Sequence, residues 1–116
     1  MIAALFLAAA LQTQQPSDLL FSEAWACSEM ARLGRETHFG DTTPQTTDEH
    51  AIWNALTRLE TLAGEEADRK QVSLGYDDDQ RAAEEGYTRN MLERATADQL
   101  GEILETCRVV FQVAIG

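Results

Sequence analysis

Cys27 and Cys107 each sit at the centre of an apolar stripe with helical spacing, one near each end of the chain. They are the only cysteines, so only one intramolecular pairing exists. A bridge between them would tie the opening helix to the closing helix and constrain everything between. In the chain-entropy picture, closing a loop of that length stabilises by about 4 kcal/mol. That is a large share for a small domain whose core alone stabilises only marginally. No C-x-x-C spacing occurs, which argues against a redox-active dithiol and against c-type haem attachment.

A persistent bridge requires an oxidising compartment, and the N-terminus points to one. Ile2 to Leu11 form an unbroken apolar run, ended by Gln12, Thr13, Gln14, Gln15 and Pro16. The run is too short to span a bilayer, which takes about 20 residues. It fits the apolar core of a secretory signal, with Ala8 and Ala10 in a cleavage pattern. Residues 1–12 are therefore read as a cleaved signal peptide and 13–116 as a single helical domain, periplasmic or secreted.

The rest of the chain carries helical periodicity in four segments. The first is expected to start at Ser17 after Pro16 and to stop at Gly34, with Leu20, Ala24, Cys27 and Ala31 on one stripe. Trp25 and Leu33 lie off that stripe, so this helix is expected to be covered on more than one face. Arg35 to Thr46 reads as the longest loop, because Gly40, Asp41 and Pro44 interrupt any period. Thr46 and Glu49 have capping-box spacing and open the second helix. Ile52, Ala55, Leu56, Leu59, Leu62 and Ala63 form its buried face, which is expected to end at Gly64, with a polar extension to Lys70. Val72, Leu74 and Tyr76 alternate with polar residues and read as an extended connector tucked onto the bundle. Asp77, Asp78 and Asp79 open the third helix, where unpaired amides favour negative charge. Its apolar face is thin: Ala82, Ala83, Tyr87 and Met91. Thr96 and Gln99 form a second capping box. Leu100, Ile103, Leu104, Cys107, Val110, Phe111 and Ala114 then give the cleanest helical stripe in the chain. The expected fold is all-α: a small antiparallel bundle of about four helices with one disulfide.

Charge narrows the function classes. The formal net charge is −11, from 20 acidic and nine basic residues, and Lys70 is the only lysine. Such a chain repels a phosphate backbone and anionic headgroups, so nucleic-acid binding and membrane adhesion after signal cleavage are not expected. A basic protein would be drawn to it.

No residue pattern marks a catalytic centre. His38 and His50 lack a partner at metal-ligating helical spacing, and the contiguous aspartates lack the alternation and glycine of a calcium loop. Neither a metal nor a cofactor is expected, and the chain is read as a non-enzyme. Trp25 and Trp53 flank the stripes of the first two helices, where joint packing or a partner-binding groove would suit an indole. The candidate partner-binding residues are Trp25, Trp53, Asp77, Asp78 and Asp79. The expected function is a protein-binding module of inhibitor, immunity, chaperone or adaptor type, acting on a basic partner, with the Arg35–Thr46 loop contributing. The alternative is a small-ligand or metal carrier with a pocket between helices.

Overall fold

A computed structural model describes residues 15–114; the proposed signal segment lies outside the described residues. A single 3₁₀ turn, Pro16–Asp18, precedes four helices: α1 Phe21–Phe39, α2 Thr47–Leu74, α3 Asp78–Glu93 and α4 Ala97–Val110. No strand occurs among the described residues. The all-helical expectation holds, and so does the bridge. Cys27 and Cys107 are joined, with Cα atoms 5.5 Å apart and neither side chain exposed.

Helix α1 begins later than Ser17. The Asp18 carboxylate accepts from the Gln15 N–H at 3.1 Å, and Leu19, 1 % exposed, turns into the core before the helix starts. The start is closed by Glu23, whose Oε1 accepts the Leu20 N–H at 2.8 Å, one half of a capping box. Gly34 does not end the helix. A β-carbon there would lie 3.6 Å from Leu56 and 3.7 Å from Leu104, so this position marks the crossing with α2 and α4. The expected loop thus contracts to 40–46. Arg35 to Phe39 stay helical because their side chains have partners on α2: Arg35 pairs with Glu60 at 2.7 Å, and Phe39 meets the Trp53 ring edge-on at 5.1 Å. The stop comes at Gly40, with φ of +59°, a backbone state that suits glycine.

In α2 the Thr46–Glu49 capping box forms in both directions, at 3.1 and 3.0 Å. Ala55, Leu56, Leu59 and Ala63 are buried as the period requires, while Ile52 and Leu62 are half-buried. The buried face does not end at Gly64; it continues through Glu66 and Ala67. Sequence misjudges this because a glutamate appears to close the stripe, yet Glu66 is buried beside Arg69, which pairs with it at 2.9 Å. The connector at 72–76 is also revised. Val72 and Leu74 belong to α2 and are 82 % and 53 % exposed. Only Tyr76 packs inward, edge-on to Phe21 at 5.8 Å, after the helix stops at Gly75 with φ of +70°.

Helix α3 starts as predicted, capped by Asp77, but shows a different face to the core. Thr88 and Leu92 are buried and Met91 is half-buried, whereas Ala82, Ala83 and Tyr87 point outward. The inward line begins with Arg81 instead, half-buried over the Phe21 ring at 5.3 Å. An arginine stem covers apolar surface while its head stays polar, so polarity alone misplaces the face. In α4 Ile103, Cys107 and Val110 are buried, followed by Phe111 and Val113, while Ala114 is exposed. Gln112 adopts φ of +56°, which folds the end back so that the Val113 N–H donates to the Arg108 carbonyl at 2.9 Å.

The helices run up, down, up, down. Phe39–Trp53 marks one end of the antiparallel α1–α2 pair; at the other, Lys70 donates to the Ser17 carbonyl. The Arg81–Phe21 and Arg89–Trp25 contacts set α3 parallel to α1. Cys27–Cys107 and Gly34–Leu104 set α4 antiparallel to it. Contacts concentrate on α1, while α3 and α4 scarcely touch one another. So α1 is the buried hub, as its several apolar faces imply: Ala24, Ala26, Cys27 and Ala31 are all 0 % exposed.

Two stability tests follow. Reducing the bridge, or replacing both cysteines by alanine, should lower the unfolding free energy by about 4 kcal/mol in urea titrations, because the unfolded chain regains the closed loop's freedom. An unchanged urea midpoint would refute this role. The second concerns Thr88, 1 % exposed, whose hydroxyl has no hydrogen-bond partner among the described residues. Thr88→Val keeps the shape and removes the unsatisfied group, and should raise stability by roughly 1 kcal/mol; a loss would show that the hydroxyl is bonded in solution.

Candidate functional site

Six of the nine basic residues form ion pairs among the described residues. Arg32 bridges Glu29 and Glu36 along α1. Arg35 ties α1 to Glu60 of α2 and stacks over Trp53 at 5.4 Å. Arg81 reaches Asp68 of α2 and Glu85 of its own helix, each at 2.7 Å. Arg89 lies over Trp25 at 5.2 Å, with Glu29 of α1 at 3.9 Å. Arg69 and Arg108 pair within their helices. Arg35, Arg81 and Arg89 share one design: a guanidinium over an aromatic ring while pairing with a carboxylate on another helix. A planar, always-charged group suits both tasks. Arg58 and Arg94 alone among the arginines have no ion pair among the described residues, and more than half of the 20 acidic residues have no cationic partner there.

The sequence-predicted candidates do not converge. Trp25 is 7 % exposed and roofed by Arg89, near the start of α1. Trp53 is half-buried at the other end, against Phe39. At about 1.5 Å of rise per residue, Trp25 and Phe39 stand about 20 Å apart along α1, so the two indoles belong to separate clusters. Asp77, Asp78 and Asp79 are exposed at the α2–α3 turn. Asp77 accepts the Gln80 N–H at 2.7 Å, and Asp78 accepts from the Gln71 amide at 3.4 Å. Their geometry is that of a helix start.

A cleft that the sequence did not locate lies between α1, α3 and the start of α4. It encloses about 300 Å³. Leu33, Leu92, Ala95 and Leu100 form its apolar lining; Glu29, Arg32, Arg89 and Glu93 form the charged part. It exists because α3 and α4 both dock on α1 without closing on each other. The one trace of it in the sequence is the pair Leu92 and Leu100, apolar residues on either side of the turn before Thr96.

Of the groups fit for proton chemistry, Glu23 is the most buried carboxylate with a resolved perturbation. Burial raises it above its ordinary value of 4.5, and the hydrogen bond from the Leu20 N–H partly opposes this. Its position at the foot of α1 makes it a helix-start group. Glu49 is held below the ordinary range by the backbone N–H groups of Gln45 and Thr46. His38 and His50 are exposed, His38 standing edge-on to Phe39 at 4.6 Å. Among the described residues no group of three or more His, Cys, Asp or Glu side chains is arranged to hold a metal ion. Comparison with protein-family models, with curated proteins and with solved structures finds no match for the chain.

The raised Glu23 value gives a pH test with a defined sign. The folded protein holds this proton more tightly than the unfolded chain, so its contribution to stability is complete below pH 4.5 and is lost as pH rises through the raised folded value. Glu23→Gln keeps an oxygen for the Leu20 N–H and removes the ionisation. Its stability relative to wild type should therefore grow on going from pH 4 to pH 7. A constant difference across that range would rule out a buried carboxylate that resists ionisation.

Proposed function

We propose that this chain is an exported, disulfide-stapled binding module that docks onto a basic protein in the periplasm or outside the cell. One observation carries the reading: three arginines are used as clamps between helices, and most carboxylates have no cationic partner among the described residues. The net charge of −11 gives a long-range field that attracts a cationic partner and speeds its encounter. The same field opposes nucleic acid and anionic lipid. No helix among the described residues is long and apolar enough to cross a membrane. The buried Cys27–Cys107 bridge supports maturation in an oxidising compartment, in keeping with the apolar leader. The reading is of a non-catalytic protein that needs neither metal nor cofactor.

A second reading, a carrier of a small apolar ligand, is favoured by one observation, the cleft lined by Leu33, Leu92 and Leu100. Its volume lies at the bottom of the range usual for drug-sized ligands, from about 300 Å³ upward.

Immobilised oxidised protein should retain a basic protein from the cell-envelope extract of its own source. With the purified pair, raising salt from 50 to 500 mM should weaken association by about tenfold or more. Retention of neutral or acidic proteins alone, or an affinity indifferent to salt, would refute the proposal.

A further inference from the structure

The cleft between α1, α3 and α4 combines an apolar floor with one uncompensated charge. Resting on the partner-binding reading above, we propose that it receives an aliphatic side chain of the basic partner, with a neighbouring lysine or arginine of that partner reaching Glu93.

The electrostatics of the lining decide the sign. Arg32 is taken by Glu29 and Glu36. Arg89 is laid on the Trp25 ring, with Glu29 its nearest carboxylate at 3.9 Å. Glu93 is exposed and has no ion-pair partner among the described residues. An anionic head would meet arginines already engaged, within the field of a chain of net charge −11. A cationic head would meet an unpaired carboxylate. The floor decides the other half of the ligand: Leu33 and Leu100 are half-buried and Leu92 is 5 % exposed, so covering them removes apolar surface from water.

The size admits an aliphatic side chain together with part of its neighbour. About 300 Å³ exceeds one leucine side chain and lies at the lower end of ligand-sized pockets, which leaves room for the stem of the adjacent basic residue but not for a helix face. A second copy of the chain is a poor occupant, since two such acidic surfaces repel. The cleft, rather than the aspartates at the α2–α3 turn, is thus the anchor point. The surrounding carboxylates supply attraction, and the floor supplies selectivity.

The test uses the oxidised protein with two synthetic peptides, Ac-Lys-Lys-Leu-Lys-Lys-NH2 and the same peptide with serine in place of leucine. Binding is followed through leucine methyl signals in NMR spectra. The leucine peptide should shift the methyls of Leu33, Leu92 and Leu100, and the serine peptide should bind at least about fivefold more weakly. Glu93→Gln should weaken the leucine peptide about threefold. Asp79→Asn makes the same charge change about 20 Å away along α3 and should cost less. Equal response to both peptides, unmoved cleft methyls, or equal losses in the two variants would each overturn the cleft assignment. So would octylammonium shifting these methyls when the leucine peptide does not, since the cleft would then hold a small amine. None of these results touches salt-sensitive capture of a basic protein, and loss of that capture would end the broader reading whatever the methyls show.

Discussion

A helix that is apolar on several sides must be covered on several sides, and α1 sets this requirement for the molecule. Its small residues let neighbours approach closely: Ala24, Ala26, Cys27 and Ala31 carry no exposed surface, and Gly34 lies under both Leu56 and Leu104. Three partners satisfy the demand from different directions, α2 along its length, α3 beside it and α4 through the disulfide. The bridge matters because α4 has few other neighbours. Cys107 fixes it at the middle of α1, and Ile103, Val110, Phe111 and Val113 then complete the apolar contact.

The charges follow from that arrangement. A hub with aromatic residues near its surface needs lids that shield rings while tolerating water, and Arg35, Arg81 and Arg89 supply them over Trp53, Phe21 and Trp25. Each also reaches a carboxylate on a different helix, so the lids double as ties between helices. This gives a physical reason for arginine rather than lysine at these three positions. These three guanidiniums are matched by carboxylates of the fold, while most other carboxylates have no cationic partner among the described residues.

The starts of α2, α3 and α4 were legible because they rest on local chemistry, whereas α1 starts at Phe21 rather than Ser17. Thr46 with Glu49, and Thr96 with Gln99, close their own hydrogen bonds within four residues, and Asp77 does the same with Gln80. Ends and faces were less legible. Gly34 has the residue type of a stop but the role of a crossing point. Glu66 has the charge of a solvent residue but lies buried beside Arg69, and Arg81 heads the inward line of α3 in place of Ala82 and Ala83. For Gly34 and Arg81 a neighbour distant in sequence, Leu56 and Leu104 or Phe21, decides the role. The candidate site fared the same way: the two tryptophans and the aspartate run were conspicuous one by one, yet they sit in three separate places.

The sequence by itself determined the class of fold, the pairing of its two cysteines and the sign of its surface, because periodicity, cysteine count and net charge need no knowledge of which helix meets which. Tertiary structure alone decided that α1 is the hub, that three arginines serve as lids, and that a cleft opens between α3 and α4. Those features depend on distances between residues far apart along the chain, such as Glu29 and Arg89 or Leu33 and Leu92, and no local pattern encodes such distances. The gap that makes the cleft is the space left when two helices dock side by side on a third without closing on each other.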